Sequence, residues 1–164
     1  MILNRRQLIQ TGLLGGVVLA LGSRLASPQA PGFAASHADR ALILALGRGM
    51  LGPLPASGQL ALADNVLTAI AGLPLAVQAE VRQLFDLLQQ PLARRLLAGV
   101  AQPWAQAGED EVRAFLQRWR HSRLALLRSA YQALHGLLYA GWYGDAASWG
   151  GIGYQRHPMM KGLL

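Results

Sequence analysis

Hydrophobic residues in this chain recur every three to four positions, the repeat that gathers side chains on one face of an α-helix. Val77, Val81, Leu84 and Leu88 stand at offsets 0, 4, 7 and 11, a single stripe. Val112, Phe115, Leu116 and Trp119 form a second, and Leu124, Leu127, Tyr131, Leu134 and Leu138 a third. No Gly or Pro falls between Glu109 and Gly136, so these two stripes belong either to one helix over 109–139 or to two that meet near Ser122. Upstream, Ala41, Leu42, Ala45 and Leu46 predict a helix from a Ser36 cap to about Met50, stopped by Gly52-Pro53-Leu54-Pro55. Ser57 is the expected cap of a helix carrying Leu60, Ala63, Leu67 and Ile70, closed by Gly72. Pro74 suits the first turn of the next helix, Pro91 interrupts it, and a short helix from Leu92 to Ala98 follows. Gln102-Pro103-Trp104 and Gly108 fall in a connection.

From residue 36 onward only nine residues are Val, Ile or Thr, while Leu and Ala dominate. The fold class predicted is therefore all-α, a small helical bundle over residues 36–140. Past Tyr139 the character changes. Residues 141–164 form an aromatic and glycine-rich C-terminal tail, in which 141–154 sets Trp142, Tyr143, Trp149 and Tyr154 among five glycines, with Ile152 beside them. Asp145 is placed to cap a single helical turn there. Such a tail either folds back over the bundle or offers flat rings with polar tips to another protein.

Residues 1–35 read as an export signal and linker. Asn4-Arg5-Arg6-Gln7-Leu8-Ile9-Gln10 precedes an apolar stretch from Leu13 to Leu21 that is broken by glycines. The arginine pair with Leu8 and Ile9 fits a twin-arginine signal, the route that carries folded proteins across a bacterial membrane. A general secretory signal or a basic amphipathic start is the alternative. At about 1.5 Å per residue the apolar stretch covers roughly 14 Å, about half a bilayer core, so it predicts no membrane span. Ala34, with Gly32 at the −3 position, is the best cleavage site, and an uncleaved leader lying against a membrane or a partner stays open. The expected location is periplasmic.

Charge and chemistry narrow the function. The formal +7 includes Arg5, Arg6 and Arg24 of the leader; residues 35–164 carry 12 Lys/Arg against 8 Asp/Glu. That excess is too small and too dispersed to predict nucleic-acid binding. Absence of cysteine excludes disulfides, covalent c-type haem, thiolate-bound clusters and a cysteine nucleophile. No dinucleotide fingerprint, phosphate loop or serine elbow occurs. His37, His121, His135 and His157 lack ligand spacing; on a continuous helix His121 and His135 would lie roughly 21 Å apart, and His135 reads as a packing or hydrogen-bonding residue. Glu109, Asp110 and Glu111 read as a helix start favoured by the macrodipole. No catalytic, metal or cofactor site is expected in this chain. Arg113, Arg118, Arg120, Arg123 and Arg128 make its longest helical region basic, either as a solvated face or as contact for an acidic partner.

The blocks Trp119-Arg120-His121-Ser122-Arg123-Leu124-Ala125-Leu126-Leu127-Arg128, Tyr131-Gln132-Ala133-Leu134 and Trp142-Tyr143-Gly144-Asp145-Ala146-Ala147-Ser148-Trp149-Gly150-Gly151-Ile152-Gly153-Tyr154 resemble a family of small exported proteins. The family is the gluconate 2-dehydrogenase subunit 3 type, twin-arginine-signal subunits that accompany flavoprotein dehydrogenases of the glucose–methanol–choline (GMC) class. Leu73-Pro74, Val77-Gln78 and Glu80-Val81-Arg82 look family-like as well, and the resemblance covers most of 38–154. One departure stands out: such tails tend to continue Gly-Tyr-x-Gly-Pro, and this one reads Gly153-Tyr154-Gln155-Arg156-His157-Pro158. The resemblance implies a non-catalytic escort for a large GMC-type subunit that takes up FAD in the cytoplasm and crosses through the twin-arginine translocase bound to this chain. Electrons would then leave through a cytochrome c subunit or another acceptor. Arg120, Arg123, Arg128, Trp142, Tyr143, Trp149, Ile152 and Tyr154 are the partner-binding residues that this reading selects. An independent cofactor-carrying periplasmic enzyme and a stand-alone periplasmic scaffold are the rival classes.

Overall fold

A computed structural model describes residues 32–53 and 56–144. The helices are α1 (His37–Leu51), α2 (Ala56–Ala71), α3 (Leu75–Gln89), the short α4 (Pro91–Ala93), α5 (Glu109–Arg120) and α6 (Ala125–Tyr143); a π-helical turn, Arg94–Ala98, continues α4. Among the described residues there is no strand. The fold is all-α. Helix α1 touches α2, α3, α5 and α6, while the broadest contact joins α2 to α6. Leu42, Leu46, Leu62, Val66, Ile70, Phe85, Leu88, Phe115, Leu134 and Leu138 make a single buried core between them.

The start of α1 carries most of the polar order. Ser36 accepts a hydrogen bond from the Asp39 backbone N–H (3.2 Å), and its own N–H donates back to Asp39 Oδ2 (2.7 Å), a capping box. Asp39 is fully buried. Arg82 of α3 reaches it with both guanidinium nitrogens, at 2.8 and 2.7 Å, and Gln89 Nε2 donates to Oδ1 at 2.6 Å. The Phe33 ring stands 4.7 Å from the Arg82 guanidinium carbon and meets Phe85 edge-on at 5.6 Å. Buried Gln78 accepts from the Phe33 N–H and donates to the carbonyls of Ala71 and Leu73. The entry strand of chain, the α2–α3 turn and α3 are thus tied through two polar side chains.

Side chains of α5 satisfy carbonyls that helix ends leave open. Trp119 Nε1 donates to Leu97 O (3.1 Å), Arg118 donates to Ala98 O, and Glu111 accepts from the Ala101 N–H. Trp104, in the connection, donates to Leu88 O at 2.7 Å and packs with Phe115, which in turn packs with Trp119. Gly99 ends the π turn at φ +64°, and a Cβ there would stand 2.4 Å from an Arg118 nitrogen.

The observed helices depart from the sequence expectation at three places, in α2, at the short helix and at the end of α6. Helix α2 starts at Ala56, before Ser57, so Ser57 is inside its first turn. Its buried face is Leu62, Ala63, Val66 and Ile70, whereas Leu60 is 67% exposed. The short helix opens at Pro91 and widens into a π turn. Of the two alternatives for the basic region, the structure shows the pair of helices that meet near Ser122. Ser122 takes its Oγ to the Leu124 N–H (3.1 Å), the local bond by which serine competes with helix continuation. Helix α6 then runs on to Tyr143, so Gly141, Trp142 and Tyr143 are helical. The leader, with Arg5, Arg6, Leu8 and Ile9, the Leu54-Pro55 stop, the Asp145 cap and the tail residues Trp149, Ile152 and Tyr154 lie outside the described residues.

Gly141 is needed where it stands. A Cβ on it would lie 2.5 Å from Val66 Cγ2 and 3.0 Å from the Val66 backbone nitrogen, and its carbonyl accepts from Asn65 Nδ2 at 3.1 Å. We expect Gly141→Ala to cost about 1–3 kcal/mol by forcing α2 and α6 apart, read as a lowered midpoint of denaturant unfolding. An unchanged midpoint would contradict this packing.

Asp39 yields a prediction about acid. Burial pushes its carboxyl up, but hydrogen bonds from Arg82, Ser36 and Gln89 outweigh this and hold it at about 2, against 3.8 for a free side chain. The folded value lies below the unfolded one. Its contribution is therefore complete above pH 3.8 and is lost as pH falls towards 2, and it amounts to about 2 kcal/mol. Asp39→Asn removes that acid-sensitive component and leaves Arg82 with only the more exposed Asp86 as a carboxylate partner, at a cost of about 2–4 kcal/mol at neutral pH. Unfolding free energies of both proteins across this range check it.

Candidate interaction surface

The block Trp119 to Arg128 forms the corner between α5 and α6. Trp119 anchors it from inside, being buried and bonded to Leu97 O. Arg128 closes it from the other side by donating to Ser122 O at 2.6 Å. The five arginines expected as one basic stretch separate here by role. Arg113 pairs with Glu109 and, at 2.9 Å, with Asp110. Arg118 turns inward to Ala98 O, and Arg128 is spent on the corner. Arg120 and Arg123 are exposed, and neither has a carboxylate or hydrogen-bond partner among the described residues. The stretch thus combines arginines bonded within the fold with two whose charge is open at the surface.

Along α6 the rings stand one turn apart. Tyr131 and His135 have centroids 5.7 Å apart, His135 stacks on Tyr139 at 4.0 Å and 17°, and Tyr139 meets Tyr143 at 5.4 Å. Tyr131 is buried, His135 and Tyr139 are half-buried, and Tyr143 is 41% exposed. The row thus rises from the core to the surface as it nears the end of α6. His135 has the packing role expected of it. Trp142, selected with Tyr143 for partner contact, is half-buried against the core.

Between α1, α5 and α6 lies a cleft of about 340 Å³, lined by Met50, Gln117, Arg120, Gln132, His135 and Tyr139 among others. Of this lining the sequence marks Arg113 and Arg120 by their charge, and only Arg120 is among the expected partner-binding residues. The i, i+4, i+8, i+12 spacing of Tyr131, His135, Tyr139 and Tyr143 was the available signal. Among the described residues, no group of three or more His, Asp or Glu side chains is placed to hold a metal ion. None of the described helices is long and apolar enough to cross a membrane. Comparison with protein-family models, with curated proteins and with solved structures finds no match for this chain.

Burial disfavours the charged form of His135, and the Arg120 guanidinium adds to this, so its pKa lies below the ordinary 6.5. In the unfolded chain this imidazole takes a proton at its ordinary pKa, so the fold is penalised as pH falls below that value. NMR titration should give His135 a midpoint below 6.5, and Arg120→Gln should move it part of the way back up. A midpoint indifferent to the substitution would separate the two groups.

Proposed function

We propose that this chain is the non-catalytic small subunit of an exported FAD-dependent dehydrogenase complex of the GMC class. In this role it escorts the folded flavin subunit through the twin-arginine pathway and remains bound to it. The observation that carries the reading is the α5–α6 corner. One of the two blocks that most resemble the small-subunit family, within Trp119 to Arg128, forms a structured turn that leaves Arg120 and Arg123 unpaired at the surface, and the other, Ser148 to Tyr154, lies outside the described residues. The paired Arg5 and Arg6 of the leader supply the export half of the argument.

Two further features fit a permanent partner. Leu92 and Leu96, one turn apart on the outer side of α4 and the π turn, are 70% and 74% exposed. Large apolar side chains so placed favour coverage by another protein. The Trp- and Tyr-rich tail adds the residue types that dominate protein interfaces. FAD, the substrate site and any cytochrome c contact belong in this proposal to other polypeptides, and the periplasm is where the complex works.

Replacing Arg5 and Arg6 by Lys should strand the flavin subunit in the cytoplasm, with its activity lost from the periplasmic fraction. Deleting the chain should do the same. A flavin subunit that still arrives outside, fully active, would defeat the escort role.

A further inference from the structure

The cleft between α1, α5 and α6 has a charge pattern that the fold itself does not use. Its lining includes two arginines and a histidine but no Asp or Glu. Arg113 is already answered by Glu109 and Asp110 on its own helix. Arg120 is not answered by any carboxylate among the described residues, and across from it stand Gln132, His135 and Tyr139. The amides of Gln117 and Gln132 supply neutral donors at the same opening. An arginine fork with flanking amide donors is the chemistry that receives a carboxylate, often through two parallel bonds.

We propose that this cleft is a docking site for an Asp or Glu side chain of the flavoprotein subunit, received by Arg120 and flanked by the stacked rings of His135 and Tyr139. The inference rests on the function proposed above and names the contact through which that complex is held. Two arguments select a partner's side chain over a free small anion. Arg113, Gln117, Arg120 and Gln132 are all exposed, so the cleft would leave much of a free small ligand in water, whereas binding pockets bury most of their ligand's surface. The ring row also continues from the cleft to Tyr143, joining the charged notch to an amphipathic strip along α6. A point charge beside such a strip sets register and partner choice at a protein interface.

The test uses the full chain, purified with its partner. R120K keeps the positive charge and introduces a primary amine into a chain whose single lysine is Lys161. A carbodiimide activates carboxyl groups and joins them to amines as amides, with no spacer. Peptide mass spectrometry should find an amide between the lysine introduced by R120K and an Asp or Glu of the flavoprotein. In the same preparation R120E should lower flavoprotein recovery at least about tenfold, while R40E, an equal charge change at a solvent-facing position of α1 outside the cleft, should not. Circular dichroism of both variants checks that the helices persist. If flavoprotein is present but couples only to Lys161 or the amino terminus, or if R120E and R40E recover equal amounts, the docking site is overturned and the complex stands. If no flavoprotein accompanies the unaltered chain, the proposed function fails first and takes the docking site with it.

Discussion

The buried carboxylate of Asp39 fixes more of this fold than any apolar contact does. A charge without solvent is tolerable only when it is paired and its oxygens are filled. Asp39 meets that condition with donors from three places at once, the Ser36 cap, the Arg82 fork and the Gln89 amide. Leu- and Ala-rich helices have interchangeable faces and can slide by a turn with little loss. The Asp39–Arg82 bond pattern cannot, because a shift of one turn would strand the buried Asp39 carboxylate, while Arg82 would keep only Asp86 of its own helix. Phe33 over Arg82 and Gln78 across the α2–α3 turn extend the same anchorage to the chain entering α1. The pair sets register more than it adds net stability.

From that anchor the surface follows by packing. Helix α1 holds α5 through the contact at Gly49, where a Cβ would press on Val112. Helix α2 holds α6 through the closer approach at Gly141 and Val66. These two glycine crossings bring Arg120 and His135 to opposite walls of one cleft, although α5 and α6 are joined by a corner and not by a continuous helix. The same cysteine-free body keeps its loops in place with Trp104, Arg118 and Trp119, whose N–H groups fill helix-end carbonyls. Stability and presentation of the surface therefore share residues.

Much of this could be read from the residue pattern, and the reasons for success and failure are specific. Val77, Val81, Leu84 and Leu88, and Val112, Phe115, Leu116 and Trp119, are buried as their spacing requires, because a regular 3.6-residue repeat leaves one choice of face. In α2 the unbroken apolar run from Leu60 to Ala63, with Val66 and Leu67 beyond it, covers more than one face, so periodicity could not choose between the Leu60 and Leu62 faces. Asp39 was invisible as a core residue, since a lone acid after a capping serine reads as an exposed first-turn charge. The break near Ser122 was one of two readings the pattern allowed, and the choice between them rested on a serine side-chain bond that carries no glycine or proline marker. Gly141 looked like the first residue of a loop because glycine's use for close helix approach has the same spelling as its use in turns. The cleft was legible only in part: Arg120 stood out by charge, whereas His135 and Tyr139 acquire a shared purpose only once α5 folds back across them.

The central claim, that this compact helical body exists to hold a flavin-bearing companion, is tested most directly by what it brings with it from its native cells. Gentle purification of the full chain, followed by native mass measurement and a flavin spectrum, should yield a stoichiometric assembly with a much larger, yellow, FAD-containing polypeptide. Recovery of this chain alone, colourless and turning over a substrate by itself, would contradict the account.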